Sequence, residues 1–113
     1  MLEFLKVEGH SLTPILIEGD YVLIIKRKLF SLIYRQGLQS GDFIVFTKPG
    51  YPKMIKRIKS VHKEGFEVEG THIDSVSSRQ FGLVQRHETV GKVILSIRDF
   101  KFSVPASWLR PYP

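Results

Sequence analysis

The sequence predicts an all-β domain. Three observations carry this expectation: the apolar runs are short, turn-forming residues interrupt them frequently, and several runs alternate with a period of two. The longest apolar runs, YVLII at Tyr21–Ile25 and LFSLIY at Leu29–Tyr34, have the length of a strand or a short helix. With 113 residues and no internal repeat or low-complexity linker, residues 1–113 read as one domain around a single core.

The elements follow in order. FLKV, Phe4–Val7, reads as a first strand. Thr13 and Pro14 resemble an N-cap and a first helical residue, which gives at most a turn or two of helix. Glu18-Gly19-Asp20 turns the chain into YVLIIK, Tyr21–Lys26, a nearly continuous apolar strand. The stretch from Arg27 to Asp42 fits either a hairpin extension or a short amphipathic helix, and its Leu29–Tyr34 segment has the character of a peripheral membrane contact. GDFIVFTKPG, Gly41–Gly50, is a strand closed by a Pro-Gly turn. Lys53–Val61 and Phe66–Gly70 form a hairpin around HKEG, and Arg79–Val84 and Thr89–Phe100 supply the closing strands. The expected architecture is a compact folded sheet or partly open barrel.

Composition narrows the chemistry. The chain has no cysteine, which excludes disulfides, zinc–thiolate sites and a cysteine nucleophile. Its four histidines lack ligand-like spacing, so no metal site is expected. The net charge is +6, from 17 Lys and Arg against 11 Asp and Glu, a balance compatible with nucleic acid or an anionic membrane. The basic residues are dispersed except at Lys26–Lys28 and Lys56–Lys59, and the aromatics interleave with aliphatics as core. No stacking platform is visible, and nucleic acid is not the expected partner. No stretch approaches the ~18 apolar residues of a membrane span, and no signal-peptide pattern opens the chain. A cytoplasmic or peripheral protein is expected.

Three polar features interrupt the apolar pattern. In VEGHSLTPILIEGD, Val7–Asp20, Gly9 permits close backbone approach and Pro14 biases Thr13 towards an extended conformation. Ser11, held between them, is either a loop serine satisfying a turn or a hydroxyl presented to a carbonyl. Lys56, in MIKRIKS, shares a strand face with Met54 and Ile58, while Ile55, Arg57 and Lys59 share the wetter face. Such a lysine either snorkels to water or is buried, and a buried lysine must lose its proton or find a partner. A lysine brought down to roughly pKa 7–8 can act as the general base for a serine hydroxyl. The third feature, Gly70–Gly82, frames three serines and an arginine between glycines and offers a hydrogen-bond network.

Together these features resemble the serine-lysine peptidases of the signal peptidase I family. That family's G-x-S-M-x-P nucleophile motif, followed by an apolar stretch and G-D, is similar to Gly9-His10-Ser11-Leu12-Thr13-Pro14 with Gly19-Asp20. SGDFIVFTKP resembles its G-D-apolar-P segment, and MIKRI resembles the strand that carries the general-base lysine. Gly70–Gly82 resembles its G-D-N-x-x-x-S-x-D-S-R box, and ETVGKVIL its closing G-K-V strand. The order matches from Val7 to Leu95.

The resemblance implies a signal-peptidase-like sheet with one short helical turn after the nucleophile. It further implies a serine endopeptidase that cleaves a precursor or leader peptide after small residues, without a cofactor. Ser11 is the implied nucleophile and Lys56 the implied general base. Gly9 and the Ser11 N–H form the oxyanion region, Ser75 matches the serine that orients the lysine, and Ser78 and Arg79 match the second serine and the arginine of the supporting box. Leu12 and Pro14 face substrate. His10 has no implied catalytic role.

Departures are present. Leu12 replaces the usual methionine, Gly70-Thr71-His72 replaces G-D-N in a loop one residue shorter, and Ser77 replaces the aspartate that pairs with the arginine. Arg79 then needs another acceptor, with Asp74 nearby in sequence. Only ten residues precede Ser11, which is similar to short soluble members such as proteases that mature nickel-type superoxide dismutase. Self-cleaving repressor-type domains lack the S-x-x-S-R-x-F-G pattern. A peptide-binding module that has lost catalysis and a basic nucleic-acid-binding domain are the competing expectations.

Overall fold

The computed structural model describes residues 2–8, 15–29, 37–70 and 81–98, together with the backbone of 101–103. Within these residues the protein is all-β, as expected. Seven strands are present: β1 Leu2–Lys6, β2 Tyr21–Lys26, β3 Phe43–Phe46, β4 Met54–His62, β5 Gly65–Glu69, β6 Thr89–Arg98 and β7 Lys101–Ser103. They form one antiparallel sheet in the order β1-β2-β6-β3-β4-β5, with β7 paired to the far end of β6. The sheet is open among the described residues, with β1 at one edge and β5 at the other.

The FIVF run of β3 explains why one sheet can hold two apolar layers. All four residues are buried, because alternate side chains enter different clusters. Phe43 and Val45 join Val7, Leu16, Val22, Ile24 and Val93 on one face. Ile44 and Phe46 join Ile58, Phe66, Val68 and Val84 on the other. A strand covered on both faces reads as a continuous apolar run, and β3 is an interior strand between β6 and β4.

Several boundaries differ from expectation. β1 covers Leu2–Lys6 instead of Phe4–Val7. Val7 leaves the ladder to exchange hydrogen bonds with the turn at Gly19-Asp20: its N–H donates to Asp20 O (2.7 Å) and the Gly19 N–H donates to its carbonyl (3.0 Å). The described part of Arg79–Val84 is not a strand. Gly82 takes a positive φ of 82°, which breaks the extended chain. Only Val84 pairs, through reciprocal hydrogen bonds with Phe66 of 2.8 and 2.9 Å. Thr89–Phe100 shortens to Thr89–Arg98, after which Lys101–Ser103 returns as the unforeseen β7. A 3-10 turn at Arg86–Glu88, closed by a reciprocal Gln85–Glu88 capping box, was also unforeseen.

The β4–β5 hairpin is as expected, with Lys63 and Glu64 at its tip. Residues 27–29 are helical, which favours the helix reading for the start of the stretch from Arg27 to Asp42. The rest of Leu29–Tyr34 and the expected helical start at Thr13-Pro14 lie outside the described residues. No helix among the described residues is long and apolar enough to cross a membrane.

Candidate active site

Lys56 lies in β4 opposite Ile44 of β3, and its neighbours along the strand, Met54 and Ile58, pack into the same apolar cluster as Ile44. The alternation of MIKRIKS therefore buries Lys56, which is only 3% exposed, and leaves Lys59 in solvent. Burial pushes the Lys56 ammonium below the ordinary lysine value of 10.5 by removing water from the charged form. Among the described residues no carboxylate lies within ion-pairing distance of it. The snorkelling alternative is thereby set aside: the side chain is interior.

Beside Lys56 is a cavity of about 450 Å³, lined on one side by Leu5, Val7 and Glu8 and on the other by Met54, Ile55 and Lys56. It lies between β1, an edge strand among the described residues, and the start of β4. Lys6 and Lys53 complete its charged rim.

The described chain on either side of residues 9–14 is tied together. The two hydrogen bonds between Val7 and Gly19-Asp20 bring the ends of the 8–19 segment together. Asp20, 3% exposed, anchors that return point. Its Oδ1 and Oδ2 accept from Nε and Nη2 of Arg98 at 2.9 and 2.8 Å, and Oδ2 also accepts from the Ile17 N–H at 3.0 Å. Burial works to raise the Asp20 pKa, but the Arg98 and Ile17 hydrogen bonds and the Arg98 charge outweigh it and hold the carboxyl below its ordinary value. Arg98 Nη2 also donates to Ile15 O at 3.3 Å, so one guanidinium fixes both ends of the Ile15–Asp20 turn.

A second buried lysine, Lys92 of β6, is opposite Ile44 on the side away from β4. It is 2% exposed, and its Nζ is 3.6 Å from Oδ1 of the fully buried Asp42. The other oxygen of Asp42 accepts from the Gln39 N–H at 2.9 Å. On the outer face of the β4–β5 hairpin, Arg57 meets Glu69 at 3.3 Å, with both side chains about one-third exposed.

Of the residues expected at the site, Lys56 is the one described. Ser11, Gly9, Leu12 and Pro14, and likewise Ser75, Ser78, Arg79 and its suggested acceptor Asp74, lie outside the described residues. The Asp42–Lys92 pair was missed. The same alternation that identified Lys56 also places Lys92 on a buried face within TVGKVIL, and that signal went unused. Among the described residues no group of three or more His, Asp or Glu side chains is placed to hold a metal ion.

No protein-family model matches the chain, and no curated protein matches it.

Proposed function

We propose that the protein is a serine endopeptidase of the signal peptidase I type, with a Ser11–Lys56 dyad acting on a precursor or leader peptide. The observation that carries this reading is Lys56: a buried lysine with a lowered pKa and no carboxylate partner among the described residues, beside a cavity open to β1. Structural lysines are normally exposed or paired, and a buried lysine that readily gives up its proton is suited to base catalysis. Two further points support it. Ser11 follows Glu8, a lining residue of that cavity, by three positions, and three residues span at most about 11 Å. The order of five motifs along the chain is that of the family.

In this reading neutral Lys56 accepts the Ser11 proton as Oγ attacks the scissile carbonyl carbon. Backbone N–H groups around Gly9 and Ser11 hold the tetrahedral oxyanion, a contribution of about 3–4 kcal/mol. Lys56 then returns the proton to the leaving amine as the C–N bond breaks. It next deprotonates the water that hydrolyses the acyl-enzyme. The substrate lies extended beside the edge strand β1, where backbone hydrogen bonding and shallow apolar pockets select small side chains.

A peptide-binding module would use the same cleft without the chemistry. Incubation with a peptide library, read by mass spectrometry, separates the two. Specific cuts that vanish in Ser11→Ala and in Lys56→Ala support the peptidase. Peptide retention without cuts supports the module. Undiminished cutting in either variant rejects the dyad.

A further inference from the structure

Asp42 occupies an unusual position relative to the two buried lysines. Extending the register of β3 by two residues from Ile44 places Asp42 opposite Ile58, whose N–H donates to the Asp42 carbonyl at 2.8 Å. Asp42 is thus a diagonal neighbour of Lys56 on β4. On the other side Ile44 faces Lys92, and Asp42 is a diagonal neighbour of that lysine on β6. Diagonal neighbours on one face of a sheet are about 7–8 Å apart at the backbone, within reach of a long side chain. One carboxylate therefore stands between two lysines offset from it in the same way.

It pairs with one of them. Lys92 Nζ is 3.6 Å from Asp42 Oδ1, whereas Lys56 makes no ion pair among the described residues. Lys6, Glu8 and Lys53 are the other charged residues of the cavity that Lys56 also lines. Arg57, Glu67 and Glu69 alternate to the outer face of the β4–β5 hairpin, where Arg57 meets Glu69. We infer that Lys92 is a positioning residue: by holding Asp42 it denies Lys56 a counter-ion and keeps the proposed base unpaired. This rests on the reading of Lys56 as a base, and it adds a second lysine that no step of the chemistry uses.

The physical consequence is a competition. With Lys92 absent, Asp42 is a fully buried carboxylate without that ammonium, and Lys56 is the other lysine diagonal to it on that face among the described residues. Pairing would stabilise the charged form of Lys56 and remove its capacity to accept a proton at neutral pH.

The test reads Lys56 itself, by pH-dependent acylation of lysines followed by peptide mass spectrometry, alongside peptide cleavage. Lys92→Met is expected to move the Lys56 midpoint up by about one pH unit or more and to lower cleavage at pH 7 about tenfold or more. Lys92→Gln, whose amide still donates to Asp42, is expected to shift it in the same direction and covers the case in which Lys92→Met does not fold. The double variant Asp42→Asn/Lys92→Met removes the competing carboxylate and is expected to return the Lys56 midpoint and the cleavage towards wild type.

An unchanged Lys56 midpoint in folded Lys92→Met or Lys92→Gln overturns the inference, even if the wild type is an active peptidase. A raised midpoint in a protein that cuts no peptide supports the positioning role and rejects the peptidase reading instead.

Discussion

Lys56 and Lys92 lie on one face of the sheet on opposite sides of Ile44, each no more than 3% exposed, and they meet burial in different ways. Lys92 has the Asp42 carboxylate 3.6 Å away. Lys56 has no ion-pair partner among the described residues, and its proton is held less tightly than that of a solvated lysine. Two lysines with the same burial and different partners differ in chemistry: the first is suited to holding structure, the second to exchanging a proton.

The first prediction concerns stability. Lys56 has a lowered pKa when folded and the ordinary value of 10.5 when unfolded. Between those values the unfolded chain binds more protons, so this group makes stability rise with pH. Lys56→Met removes the desolvation penalty and keeps the volume. It is expected to stabilise the fold at pH 7 by on the order of 1 kcal/mol, or roughly 4 °C in Tm, while abolishing cleavage. Thermal unfolding followed by circular dichroism at pH 7 and pH 10 measures this. A lower Tm in the variant at both values would show that Lys56 is a structural residue.

The Asp20–Arg98 pair supplies the second. The Asp20 carboxyl is held below its ordinary value of 3.8, so its contribution is present above that pH and is lost as pH falls towards the folded-state value. Asp20→Asn is expected to cost about 1.5–3 kcal/mol at pH 7, the range for hydrogen bonds to a charged group. It should also flatten the loss of stability below about pH 4. Urea unfolding across pH 3–7 tests both points. The same variant loosens the point to which the 8–19 segment is tied, so cleavage should fall more than stability alone explains.

Gly91 marks a close approach between strands. A Cβ there would lie 2.5 Å from the carbonyl oxygen of Ile25, a backbone atom that cannot swing aside. Gly91→Ala is expected to part β2 from β6 locally at a cost of about 1–3 kcal/mol. Faster amide exchange at Ile25 and Lys92 in the variant would identify the damaged ladder; unchanged exchange would contradict the close packing.

The fold was largely legible because its strands carry their own signals. YVLIIK and FIVF are apolar runs bounded by turns, and each became an interior strand of the sheet. The hairpin at Lys63-Glu64 was legible for the same reason. Short pairings set by tertiary contacts were not: Val84 bridges Phe66 as a single residue, and Lys101–Ser103 pairs with Ser96–Arg98 beyond the end of the β3–β6 ladder. At the site, alternation put Lys56 on the face of Met54 and Ile58 but left snorkelling and burial both open; the packing of Ile44, Met54 and Ile58 around it decides for burial. The same rule applied to Lys92, but a pair with Asp42 depends on the order β4-β3-β6. That order brings together residues fifty positions apart, and no local pattern encodes it.

The central claim is that Lys56 is the base of a peptidase, and the most direct measurement sets two curves from one protein against each other. The first is the titration of the Lys56 ammonium, followed through its Cε resonance in selectively labelled protein. The second is the pH dependence of kcat/KM for a cleaved library peptide. The account predicts that both rise through one midpoint below 10.5 and that the kinetic curve collapses in Ser11→Ala. A Lys56 midpoint at the ordinary lysine value, or a cleavage profile that does not follow it, would contradict the account.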